Sequence, residues 1–236
     1  MSSDFETFRE AMLIHSKTKE HKKIVKETKE FIKGLHQSYE RLAVSFSGGK
    51  DSTALLHLTL QVDPETHVLH WDYGRALVPI DVEAEIWKNM MMIGARNIHI
   101  FRHPKKDKLA ARKHPTPMFI VRLNKRAREI GVDVVMIGLR AEESQKRART
   151  TKSKINANVN PVEVYPIRDW TSKDIYAYIF KNKLPLLSHY RIYGRLQGFE
   201  NARFATYFDS EFARLGAENI DGILKPEFRN PKEVDR

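Results

Sequence analysis

The chain has 236 residues, enough to bury a full core as one α/β domain with an appendage. It contains no cysteine, which excludes a disulfide framework, a thiolate metal site, a cysteine nucleophile and a redox pair. With 41 Lys and Arg against 30 Asp and Glu, the formal charge is +11 and the pI is near 9.7, which favours polyanionic partners over a merely Lys-rich surface only weakly. No apolar run is long enough to cross a bilayer, and the opening residues lack the charged-then-apolar pattern of a secretory signal. A cytoplasmic protein without a membrane partner is expected.

In residues 1–40, Phe5, Phe8 and Met12, then Ile24, Val25, Phe31, Ile32 and Leu35, are spaced as the buried stripe of surface helices. This N-terminal segment reads as two helices or one interrupted helix, and the Lys and Glu of 17–33 read as its solvated face. Residues 42–46, Leu-Ala-Val-Ser-Phe, form an apolar strand pattern, and 53–61 a helical one. Between them lies Ser47-Gly48-Gly49-Lys50-Asp51-Ser52. A strand that enters a Gly-rich turn and then a helix leaves unpaired N–H groups and the positive end of a helix dipole aimed at one point, which suits a phosphate. The spacing matches neither a Walker loop nor G-x-G-x-x-G.

Further on, 66–71 reads as a second buried strand ending at Asp72, which the crevice rule for doubly wound sheets places beside the first turn. Residues 79–93 read as a helix opened by Pro79, with Met90, Met91 and Met92 as core filler. Residues 97–101 form a third strand. The segment 102–114 carries six Lys or Arg and one Asp; it reads equally as a cover over the phosphates or as an exposed loop. A helix over 119–130, stopped by Gly131, leads to a fourth strand over 132–139.

That strand opens Gly138-Leu139-Arg140-Ala141-Glu142-Glu143-Ser144, followed by Arg147 and Arg149. A guanidinium at a strand's carboxyl end can grip a phosphate through two N–H groups. Residues 145–154 hold five basic side chains and no acid, and read as a flexible basic arm. A fifth strand is expected over 162–167. Thr171-Ser172-Lys173-Asp174 is a capping box that starts a helix through 181, anchored by Trp170 and Ile175. In the tail, Arg191, Tyr193, Arg195 and Arg203 are candidate substrate contacts, and Phe204, Tyr207, Phe208 and Phe212 mark a core stripe on a helix over 200–215. The ten histidines show no helical metal-binding pair, so no zinc site is expected.

Three of these stretches carry a resemblance. Ser47 to Ser52 resembles the S-G-G-x-D-S/T loop of the N-type (PP-loop) ATP pyrophosphatases. Gly138 to Arg147 resembles G-x-R-x-x-E/Q-S-x-x-R of the phosphoadenosine phosphosulfate reductase family and G-x-R-R-D-E-E of the sulfate adenylyltransferase small subunit. The run Tyr165-Pro166-Ile167-Arg168-Asp169-Trp170-Thr171, with Asp174-Ile175 and Leu184-Pro185, is similar to a segment both branches share. The resemblance covers about residues 42–185.

It implies a three-layer α/β sandwich of the adenine nucleotide alpha hydrolase-like type, with a mainly parallel sheet of about five strands. Residues 1–40 would be an N-terminal helical segment, 41–185 the nucleotide-binding domain and 186–236 a helical tail. ATP would lie on Ser45, Ser47, Gly48, Gly49, Ser52, Asp72 and Gly138, with Mg²⁺ on Asp51 and Asp72. Lys50, Asp51, Arg140 and Arg147 would carry the chemistry, which cuts ATP between its α and β phosphates to adenylate an acceptor. Nucleic acid or another polyanion on 102–114 and 145–154, and a homodimer or partner subunit, are further expected partners. A sulfate adenylyltransferase small subunit and a nucleotide-binding module without turnover stand as alternatives. The reductases take a cysteine nucleophile from the tail, and this chain has none to form a thiosulfonate.

Overall fold

The computed structural model of the protein describes residues 3–72, 78, 80–102, 115–200 and 202. Its centre is a sheet built from β1 (Leu42–Ser45), β2 (His67–Asp72), β3 (Asn97–Arg102), β4 (Val134–Ile137), β5 (Ile155–Asn156) and β6 (Val162–Val164), in the spatial order β3-β2-β1-β4-β6-β5. All pairings are parallel except β5 with β6. The chain lays down β1, β2 and β3 in one direction and then returns to place β4 on the other side of β1. The strand order therefore reverses between β1 and β4, where a doubly wound sheet opens its ligand crevice.

Side-chain alternation divides the core in two. Ala43, Leu69, Trp71 and Val135 point to one face and are covered by Leu123 and Ala127 of α5 (Pro115–Glu129). Val44, Val68, Val134 and Met136 point to the other, where α3 (Lys50–Leu60) and α4 (Ile80–Ile93) cover them with Leu55, Ile86 and Met90. The result is the expected three-layer sandwich. Met91 and Met92 are exposed at 58% and 63%, so only Met90 of the methionine triple fills the core.

The N-terminal segment forms two helices, α1 (Ser3–His15) and α2 (Lys19–Ser38). The first lies on α7 (Ser172–Lys181), with Phe8 edge-on to Tyr176 at 5.1 Å between ring centres. Trp170 donates its indole hydrogen to Thr28 of α2 at 2.9 Å. A polar latch joins the same three helices. Asp174 Oδ1 accepts from His15 Nε2 at 2.8 Å and His21 Nδ1 at 3.1 Å, while Oδ2 accepts from the Thr171 backbone and hydroxyl in the expected capping box. Burial opposes charge on Asp174, but the hydrogen bonds from His21, Thr171 and His15 outweigh it and hold its carboxyl well below the usual range.

Local structure departs from the sequence reading in several places, among them the helix expected over 119–130, which starts at Pro115. The helix after the first turn starts at Lys50, three residues earlier than its apolar pattern. Residues 145–150 are not a flexible arm but a short helix, α6 (Gln145–Thr150), whose Ser144 hydroxyl caps the N–H of Arg147 at 3.1 Å. Strand β6 stops at Val164, and residues 155–156 add an antiparallel edge strand beside it. The tail contributes α8 (His189–Gln197). Residues 103–114, Tyr73, Arg203 and nearly all of the expected 200–215 helix lie outside the described residues.

Candidate functional site

The turn between β1 and α3 is held by its own small side chains. Gly48 has φ +83°, a conformation that L side chains rarely adopt, and a Cβ there would come within 2.6 Å of Ile86 Cγ1 on α4. Ser52 Oγ donates to the Gly49 carbonyl at 2.9 Å and accepts from Ser47 N–H at 3.3 Å, and the two serine hydroxyls are 3.1 Å apart. Gly49 is the N-cap of α3 and has no side chain to cap it; its own N–H goes to Ser47 Oγ at 3.3 Å and that of Lys50 to the Tyr190 hydroxyl at 2.8 Å, so an anion here would replace neutral hydroxyl partners. Behind it, Gly138 ends the run of β4. A Cβ on Gly138 would lie 3.1 Å from Asp51 C and Ser52 N, so glycine is what lets the two strand-to-helix turns approach.

Charge is concentrated at that approach. Arg140 Nε donates to Asp51 Oδ1 at 2.6 Å, and Lys50 Nζ donates to Asp51 Oδ2 at 3.2 Å. Both cationic side chains are nearly inaccessible, at 3% and 1%. Arg140 also holds Glu142, and Arg147 holds Glu143. Glu142 in turn accepts the Ser172 N–H that opens α7 at 2.7 Å, so the capped helix anchors the acid that fixes the arginine. Burial disfavours the Asp51 carboxylate, but Lys50 and then Arg140 outweigh it, and the carboxyl titrates below the usual range. For Arg140, burial is outweighed by Asp51 and then Glu143, which raise its value. An anion on the loop would therefore meet an ammonium and a guanidinium already oriented, with their charge shared by Asp51.

The phosphoadenosine phosphosulfate reductase domain matches residues 41–217 of the chain, three quarters of its length. The chain belongs to that family. No curated protein matches it. The family match includes the glycine turn, Arg140 and the capped helix α7, which the fold brings to one edge of the sheet. Unlike the reductases that name the family, this member has no cysteine.

Of the expected site residues, Lys50, Asp51, Ser47, Gly48, Gly49, Ser52, Gly138 and Arg140 come together in this way. Arg147 joins the group through Glu143. Ser45 is the last residue of β1, opposite Leu69 and Ile137. Asp72 ends β2 and accepts from Arg102 Nε at 2.7 Å. A Mg²⁺ ion on Asp51 and Asp72 does not fit this arrangement, because both oxygens of Asp51 already hold cations and Asp72 holds a guanidinium. A hard cation prefers carboxylates without positive neighbours.

Two residues escaped the sequence reading. The hydroxyl of Tyr190, from α8, accepts the N–H of Lys50 at 2.8 Å, and the Lys50 ammonium lies 5.8 Å from the centre of its ring. His70, buried in β2, contacts the Phe46 carbonyl just before the loop at 2.9 Å. A lone tyrosine in a tail and one of the two histidines of β2 carry no spacing that could have marked them.

Proposed function

We propose that this family member binds ATP on the 47–52 loop and cuts it between the α and β phosphates, adenylating an acceptor oxygen. The observation that carries this reading is the convergence of a glycine-shaped helix start with the buried pair Lys50 and Arg140. The loop N–H groups and the Ser47 and Ser52 hydroxyls would hold the pyrophosphate portion. The acceptor oxygen attacks the α phosphorus, the bond to the bridging oxygen breaks, and pyrophosphate leaves with that electron pair. Lys50 and Arg140 offset the charge that grows on the leaving group, and Arg147 supports them by holding Glu143. Positioning and electrostatics supply the rate, and no step is assigned to a metal on Asp51 or Asp72.

The test is pyrophosphate release from labelled ATP, alone and with sulfate or nucleic acid as acceptor. Release that depends on one acceptor supports the reading and names the substrate class. Release with sulfate alone, dependent on an added GTPase subunit, would support a sulfate adenylyltransferase small subunit instead. The neutralisation of both Asp51 oxygens favours a second reading, a nucleotide-binding module without turnover. ATP binding by calorimetry without release under any condition selects that module.

A further inference from the structure

We propose that His70 is the positioning residue of the 47–52 loop: its Nδ1–H fixes the Phe46–Ser47 peptide so that Ser47 presents its N–H to the cradle. The inference rests on the nucleotide reading for what the loop binds, but not for how the loop is held.

His70 is 2% exposed in the second half of β2, on the face covered by α3 and α4. Its Nδ1 lies 2.9 Å from the Phe46 carbonyl oxygen, and its Nε2 lies 2.8 Å from Glu83 Oε1 on α4. A carbonyl oxygen only accepts, so Nδ1 must carry a hydrogen. The hydrogen between Nε2 and Glu83 completes the second contact whichever of the two atoms holds it. A buried imidazole would otherwise cost desolvation at a strand position that an aliphatic side chain could fill.

Peptide geometry turns this contact into an effect on the site. The Phe46 carbonyl and the Ser47 N–H belong to one planar trans unit and point in opposite directions. With the carbonyl held inward by His70, the Ser47 N–H points to Ser52 Oγ at 3.3 Å, in the first turn of α3. Without that donor only the Ser47 N–H contact to Ser52 Oγ restrains the peptide plane, which turns about Phe46 ψ and Ser47 φ. A flip would turn a carbonyl lone pair toward the place where a phosphate oxygen needs a donor. Helix α4 braces the loop a second time. Ile86, one turn after Glu83, packs under Gly48. His70 thus acts on the ligand through the loop and touches no reacting atom.

Two near-isosteres separate the two contacts in the full-length protein. His70→Asn places an amide N–H close to the Nδ1 position, and His70→Gln places one close to Nε2. Hydrogen exchange at the Ser47 amide and the ATP dissociation constant are read for both, with thermal melts to compare their folding. His70→Asn is expected to keep Ser47 protection and bind ATP within about threefold of wild type, while His70→Gln loses about tenfold in each. Equal behaviour of the two variants, or retention by His70→Gln alone, overturns the proposal. Should neither variant fold, ring nitrogen NMR of the wild type decides it: a hydrogen-free Nδ1 on His70 overturns the assignment, and a protonated one in a hydrogen bond supports it. Failure of wild type to bind ATP would refute the nucleotide reading while the exchange and ring measurements still judge His70.

Discussion

The turns that follow β1 and β4 start from adjacent parallel strands and end in opposite chemistry. The first, 47–52, is shaped by its glycines, and its N–H groups rest on hydroxyl oxygens: Ser47 on Ser52, Gly49 on Ser47 and Lys50 on Tyr190. The second, 138–144, is made of side chains, with Arg140 extended across the gap to Asp51 and held by Glu142 and Glu143. Neither is complete alone. The first turn supplies a glycine-shaped helix start with Lys50, the second supplies the guanidinium of Arg140, and Asp51 joins them. Asp51 is therefore more than a loop residue; it is the joint between the two halves of the site.

Breaking that joint should have the largest effect. Asp51→Asn leaves the buried Lys50 without its anion and Arg140 with only Glu142 and Glu143, and about 3–5 kcal/mol of stability should be lost in denaturant titration, along with pyrophosphate release. The same coupling predicts acid sensitivity. Because the folded carboxyl value is depressed, its stabilisation is present above the unfolded value near pH 4 and is lost as pH falls below it. A wild-type stability profile that stays flat below pH 4 would refute the assigned partners. Next in size are the two glycines. Gly48→Ala meets both a positive φ and Ile86 at 2.6 Å, and should cost about 2–4 kcal/mol. Gly138→Ala meets rigid backbone at 3.1 Å and should cost about 1–3 kcal/mol while weakening ATP more than it lowers stability. If either alanine variant melts and binds as wild type does, the close approach of the two turns is not what these glycines serve.

The backbone turn was legible in the sequence for the reason that makes it work. Gly48, Gly49 and Ser52 sit at fixed spacing between a strand pattern and a helix pattern, and local geometry alone demands them. The capping box at Thr171 and Asp174 was legible in the same way, as were the parallel strands, each an apolar run between polar turns. The side-chain turn was only half legible: Arg140 and the acids Glu142 and Glu143 share one stretch, but its partner Asp51, 89 residues away, is fixed by tertiary contact. Residues 145–150 misled because a run of basic residues suggests repulsion and mobility, whereas Ser144 caps the segment and Glu143 pairs with Arg147. The edge strand at Ile155 and Asn156 was hidden by the run of asparagines at 156, 158 and 160, which favour turns, although Asn156 pairs with Glu163 of β6. The latch at Asp174 joins His15 and His21 across more than 150 residues, a distance no spacing rule covers.

That latch gives a smaller effect. Asp174→Asn weakens a capping box and two histidine contacts, and should cost about 2 kcal/mol, read as a lower melting temperature. Since the Asp174 carboxyl is also depressed, the wild type's advantage over the variant should be full near neutrality and shrink as pH falls below about 4. An advantage that persists unchanged in acid would show that packing, not charge, ties α1 and α2 to α7.

The smallest effect on stability, and the sharpest test of how the second turn differs from its flank, lies on α6 and the residues after it. Arg147 is 17% accessible and committed to Glu143, whereas Arg149 and Lys152 are exposed. If the basic face engages a polyanion, the exposed pair can release counterions from it far more readily than Arg147. Arg149→Gln and Lys152→Gln should each change stability by less than about 0.5 kcal/mol and lower the salt slope of nucleic-acid binding by about 1. Arg147→Gln should instead cost about 1–2 kcal/mol of stability, because it takes a paired cation from the buried Glu143, with little change in the salt slope. A slope that falls with Arg147 and not with its exposed neighbours would move Arg147 out of the joint around Asp51 and onto the binding surface.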